Sequence, residues 1–222
     1  GAPLFLVRRD VVRAGEQSPI RPIHPLSSVK DLPQAISEVC GHSPPKRLGL
    51  ELDVLPANTF FFFDQKLFPK QQIVDISGCV RLVRMVKSPW EIEMMRRAGA
   101  VSRAVADAVP TILREGISEL DLSIELESVA RRAGHLGLLR LRGFNMDMYF
   151  GHVLSGPDAA IPAYADSATG GPGVSSCFGQ GASDRRIRAG EMVSIDTMMN
   201  CQGYLNDQTR NFCIGSPPSR LE

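Results

Sequence analysis

The sequence lacks any apolar run of membrane-spanning length, and its first residues do not show the charged, apolar and small-residue succession of a signal peptide. No bilayer-spanning helix is expected, and the expected location is cytoplasmic. An excess of either charge is also missing. The 25 Lys and Arg stand against 24 Asp and Glu, leaving a formal net charge of +1. That is too little to steer the chain toward nucleic acid or an acidic membrane surface. The basic clusters Arg131-Arg132 and Arg185-Arg186-Ile187-Arg188 are short and read as solvated faces. Cysteine is sparse. Cys40, Cys79, Cys177, Cys201 and Cys213 are odd in number, scattered, and include no C-x-x-C pair. This pattern argues against a zinc site built on sulfur and fits free thiols in a reducing compartment. The run Thr169-Gly170-Gly171-Pro172-Gly173 lacks the Gly-Lys-Ser/Thr ending of a phosphate loop and is rejected as one.

What is present is ordinary globular material: 222 residues, 43% hydrophobic and 22% charged, enough for one large domain or two small ones. Leu4 to Val7 reads as a buried strand, and Gln17 to Pro25, with three prolines, as an extended edge or loop. Val29, Leu32, Ile36 and Val39 have helical spacing, with Ser27 or Ser28 placed to cap it. Ser43-Pro44-Pro45 signals a turn, followed by short strands at Arg47 to Leu52 and Gln72 to Ile76. Between them Phe60, Phe61, Phe62 and Phe63 stand in a row and are read as core. Strands alternating with helices at this spacing predict a small α/β domain over residues 1–86.

Residues 87–222 read differently. Ser88-Pro89-Trp90-Glu91 is a capping box with proline at the first helical position. It opens a helix that runs toward Leu113, with Pro110 kinking its last turns and Gly116 ending it. A second helix starts at Ser118 and stops at Gly134. Strand candidates then follow, two of them between Gly143 and Ser155, so helices first and hairpins after give an α+β signature.

The chain is organised around Arg188 to Gly215, where Asp196 and Asp207 stand in two strand-like runs joined by the turn residues Asn200 to Gly203. A hairpin symmetric about Cys201 and Gln202 predicts that the two acids face each other directly. Like charges so placed destabilise a sheet by up to roughly 1 kcal/mol, so such a fold usually holds something between them, and a divalent cation is the candidate. The alternative is a hairpin whose acids both point to water.

The spacing of Asp196 and Asp207, Gly203-Tyr204 between them, and Asp207-Gln208-Thr209-Arg210 closing the second strand resemble the first metal-binding hairpin of the pita-bread metallopeptidases. These include Xaa-Pro aminopeptidases, prolidases, methionine aminopeptidases and creatinases. The likeness continues through Arg84 to Ser88, Glu91-Ile92, Gly116 to Leu122 and Ser155-Gly156. Residues 1–86 resemble part of the N-terminal α/β domain of the creatinase and prolidase branch, and residues 87–222 the N-terminal half of the pita-bread catalytic domain. The resemblance implies hydrolysis of the peptide bond before proline by two divalent ions, manganese, cobalt or zinc. Asp196 would bind one ion bidentately and Asp207 would bridge both. Tyr204, Thr209 and Arg210 would support the ligands, unless Arg210 pairs with a surface acid. The expected partners are a proline-containing peptide and a second copy of the chain in a homodimer, with no nucleic acid and no membrane.

Two departures from the family pattern qualify this. Where members carry a histidine seven residues after the glycine at 156, this chain has Ala163, and His152 is the candidate substitute, with a structural role as the alternative. The family's remaining ligands, one histidine and two glutamates, lie after the hairpin. Here all four histidines (24, 42, 135, 152) precede Asp196, and Glu222 is the one acid after Asp207. The 222 residues are therefore expected to be a fragment that binds catalytic metal weakly or not at all and has no peptidase activity. The competing functions are a non-catalytic peptide-binding module on the same fold and, with less support, a creatinase-like C–N hydrolase without metal.

Overall fold

The computed structural model describes residues 3–41, 45–143, 147–163, 169–217 and 219. The chain divides into two compact units, Gly1–Met85 and Val86–Glu222. Among the described residues no helix is long and apolar enough to cross a membrane.

The first unit contains β1 (Phe5–Val7), α1 (Val11–Gln17), β2 (Ile23–Pro25), α2 (Leu32–Val39), β3 (Arg47–Leu50), α3 (Ala57–Phe62), β4 (Gln72–Asp75) and α4 (Ser77–Met85). Its strands pair in parallel as β1 with β2 and β3 with β4. Parallel neighbours need a crossover, and α1 and α3 supply it. Ser28 caps a 3₁₀ turn, Val29–Asp31, ahead of α2. Two helices were not foreseen. Asp10 starts α1 by accepting the Arg13 N–H at 3.0 Å, but Val12 is 75% exposed, so no apolar period announces the helix. The same holds for α4, where Val83 is 78% exposed. The phenylalanine row also needs correction. Successive helical positions point about 100° apart, so Phe61 is exposed and Phe60, Phe62 and Phe63 are half-buried, while the buried aromatic is Phe68. Of the expected turn, Ser43 and Pro44 lie outside the described residues.

The second unit contains α5 (Pro89–Ile112), α6 (Glu119–Arg132), β5 (Leu139–Arg140), β6 (Asp147–Met148), β7 (Gly151–Ser155), β8 (Met192–Cys201) and β9 (Tyr204–Cys213). Ser88 accepts the Glu91 N–H, and Glu91 returns the bond from the Ser88 N–H at 2.7 Å. Pro110 lies inside α5. Ser118 caps α6 by accepting the Asp121 N–H at 2.9 Å. The apolar stripes of the two helices, Val101, Val105 and Val109 with Leu122 and Leu126, close on Val193, Ile195 and Met199 of β8. β7, β8 and β9 form one antiparallel sheet in that order. On its other face Met198 packs with Leu139 and Met148. β8 is thus covered on both sides, while much of β9 stays exposed. His135 ties the end of β8 to the rest: its Nδ1 accepts the Asn200 N–H at 3.0 Å and its Nε2 lies 3.1 Å from the Tyr149 carbonyl. An accepting Nδ1 places the ring hydrogen on Nε2, where it is donated to that carbonyl.

Candidate metal site

The β8–β9 hairpin decides the geometry. Gln202 and Gly203 have φ of 52° and 89°, the positive pair required by a two-residue hairpin turn whose twist suits the flanking strands. The turn is therefore centred on Gln202 and Gly203, and Cys201 pairs with Tyr204. Direct opposition of the two acids is overturned: Asp196 stands opposite Thr209, and Asp207 opposite Met198. The reason is the glycine, which occupies a left-handed position at no steric cost. Two residues out of step keeps the side-chain alternation in phase, so Asp196 and Asp207 still share a face as diagonal neighbours.

Their chemistry shows in the proton affinity of Asp207. Its carboxyl is pushed above the ordinary aspartate range, first by burial, then by the charge of Asp196 and a hydrogen bond between the two side chains. Neither acid takes part in an ion pair among the described residues.

Across the other side of β8, His152 pairs in register with Asp196. The imidazole, on the same face, lies within electrostatic reach of that acid. Burial pushes its pKa below the usual histidine value, and Asp196 pulls against that shift. Its Nδ1 is buried without a hydrogen-bond partner among the described residues. Gly151, next to it, has φ of 135°, and a Cβ there would run into the Asp196 carbonyl, so glycine lets β7 close on β8. Pro162 bridges to Gly170, and a Cβ on Gly170 would lie 3.6 Å from His152 Nδ1. The segment carrying Ala163 therefore passes close to His152.

The expected supporting residues separate. Thr209 is on the acid face opposite Asp196. Arg210 pairs with Ile195 on the helix-facing side, and its Nη1 donates to the Thr209 carbonyl at 2.7 Å. Tyr204 lies near the turn, where its hydroxyl donates to Glu91 at 3.0 Å and its ring meets Trp90 edge-on at 5.5 Å. Neither Arg210 nor Tyr204 is brought to the acids, because strand alternation sends both to the opposite face. Among the described residues no group of three or more His, Cys, Asp or Glu side chains is arranged to hold a metal ion. The donors present fit one: two carboxylates on one strand face offer the oxygen ligands that a divalent cation takes.

Comparison with known proteins adds the family. Residues 93–222 match the model of metallopeptidase family M24, and residues 1–86 that of the creatinase/prolidase N-terminal domain. The uncharacterized peptidase YqhT of Bacillus subtilis is 27% identical over 80% of this chain and 43% of its own length. The Xaa-Pro dipeptidase of Pyrococcus horikoshii is 25% identical over 97% of this chain and 52% of its own. The solved structure of an Xaa-Pro dipeptidase from Bacillus anthracis superposes with a TM-score of 0.76 at 22% identity, covering 98% of this chain and 54% of that one. The chain thus spans about half the length of such relatives, and its fold is that of their pita-bread and N-terminal domains. The chain belongs to metallopeptidase family M24.

Proposed function

We propose that this chain supplies Asp196 and Asp207 to a metal-dependent peptidase that cleaves the bond before proline, of the Xaa-Pro aminopeptidase or prolidase type. The acid pair carries the proposal: two carboxylates on one strand face, one of them with proton affinity raised by burial and by the charge of the other. Manganese, cobalt or zinc fits such oxygen donors. Bound there, a divalent ion lowers the pKa of water and polarises a peptide carbonyl. The protein's share is to hold the ion through Asp196 and Asp207, to fix Asp196 between Thr209 and His152 in the sheet, and to offer the buried His152 Nδ1 to the substrate in place of the side chain absent at Ala163. The two acids alone complete no two-ion site, since each ion takes roughly five or six ligands. The 222 residues by themselves therefore bind metal weakly and do not hydrolyse peptides.

Calorimetric titration with manganese, cobalt and zinc tests this. Weak binding that disappears in Asp196→Asn and Asp207→Asn is expected. Tight uptake of two ions per chain, or turnover of Gly-Pro or Ala-Pro-Pro by these residues with manganese, would overturn the inactive reading. Binding indifferent to both substitutions would remove the acids from the site. Ala163 favours a second reading, a non-catalytic peptide-binding module. That reading expects metal-free retention of proline peptides, unchanged by the asparagine variants.

A further inference from the structure

Glu119, the first residue of α6, is completely buried. Its Oε1 accepts the Ser155 N–H at 2.6 Å and the Ser155 hydroxyl at 2.9 Å. Its Oε2 accepts the Ser183 N–H at 3.1 Å and lies 2.9 Å from Ser183 Oγ. That same Oγ is 2.9 Å from Asp158 Oδ2 and accepts the Arg185 N–H at 3.1 Å.

The hydrogens do not balance if both acids are ionised. A serine hydroxyl has one hydrogen, so Ser183 can donate to Glu119 or to Asp158. The other contact would set two oxygens 2.9 Å apart with nothing between them. One added proton resolves it. Carried on Glu119 Oε2, it is donated to Ser183 Oγ while the same oxygen still accepts the Ser183 N–H. Ser183 then passes its own hydrogen to Asp158, and Oγ donates once and accepts twice, its full capacity.

Charge decides which acid holds the proton. Arg185 Nε is 3.8 Å from Asp158 Oδ1, and Arg185 Nη2 is 2.8 Å from Glu191. Asp158 therefore has a cation beside it, whereas no ion pair reaches Glu119 among the described residues. We propose that Glu119 is a neutral carboxylic acid in the folded protein, and that its proton fastens Ser155 at the end of β7 and Ser183 to the start of α6. Glu119 is then a positioning residue for the strand that carries His152. Burial raises its pKa, against the hydrogen bonds from Ser155 and Ser183 that lower it. The other charged groups around it are Asp158 in the turn after β7, Arg185 and Glu191, and the Arg186–Asp121 pair at 3.5 Å beside the first turn of α6.

A carboxyl whose folded pKa lies above its unfolded value contributes stability that is full below the unfolded value and is lost as pH rises through the folded one. Titration of the whole chain with ¹³C-labelled glutamate carboxyls, followed by NMR, tests the assignment, since Glu119 is the buried glutamate among the described residues. One carboxyl is expected to keep its acid signal after the exposed glutamates have ionised, and the signal should vanish in Glu119→Gln. The melting temperature of the native chain should fall as pH rises through that late titration. In Glu119→Gln the pH response should flatten at a constant lower temperature, because the amide nitrogen cannot accept the Ser183 N–H. Glutamates that all titrate together overturn the proposal, as does a late signal unaffected by Glu119→Gln. If Glu119→Gln fails to fold, the titration of the native chain decides, since a buried neutral Glu119 requires one late-titrating glutamate carboxyl.

Discussion

At the scale of single residues, Asp207 is governed by its neighbour more than by its own type. Its carboxyl is pushed up by burial and by Asp196, so ionising both acids without a cation costs the fold. Asp207 is only partly shielded and still reaches solvent, which screens the repulsion to at most about 0.5 kcal/mol. In chelator at neutral pH, Asp207→Asn is therefore expected to raise the urea midpoint slightly; a lowered midpoint would show that the pair does not repel. The sign follows from linkage. A raised carboxyl pKa makes this contribution full below the ordinary aspartate range and diminishes it as pH rises through the folded value, so the gain from Asp207→Asn should vanish in acid. Sequence reading reached this pair by composition and spacing. It could not place Arg210 or Tyr204, whose side chains the register sends to the opposite face.

At the scale of elements, the hairpin turn sets which residues meet. Gln202 occupies the left-handed region at a cost that asparagine largely escapes, and Gly203 stands there freely with no atom close to its missing Cβ. Gln202→Asn is expected to stabilise the chain by a few tenths of a kcal/mol, and Gly203→Ala to destabilise it by about 1 kcal/mol through backbone strain alone. Thermal unfolding of the two variants in parallel checks this; equal effects would contradict the turn described. The helix starts at Ser88 and Ser118 were legible because a capping side chain is a local signal, complete within four residues. α1 and α4 were not, because their apolar residues are exposed and leave no buried stripe to read.

At the scale of the whole molecule, the second unit carries the larger buried core, built where α5 and α6 close on β8. Leu122 is fully buried in it. Leu122→Ala should cost about 2–5 kcal/mol, a large part of the stability of an ordinary domain, and lower the urea midpoint accordingly. A loss under about 1 kcal/mol would mean that this interior is not close-packed.

The sequence by itself determined the family, the two-part organisation it implies, both long helices and the two acids, since caps, periodicity and a short motif are all local patterns. The tertiary structure alone decided the rest. A turn centred one position later offset the strands by two residues and moved Asp207 from facing Asp196 to standing diagonal to it. Pairing of β7 with β8 put His152 opposite Asp196, although 44 residues of chain separate them. The surroundings of Glu119 depend on Ser155 and Ser183, 36 and 64 residues away. Proton balance at such a site depends on which oxygens lie within 3 Å of one another, and no pattern along the chain encodes that distance.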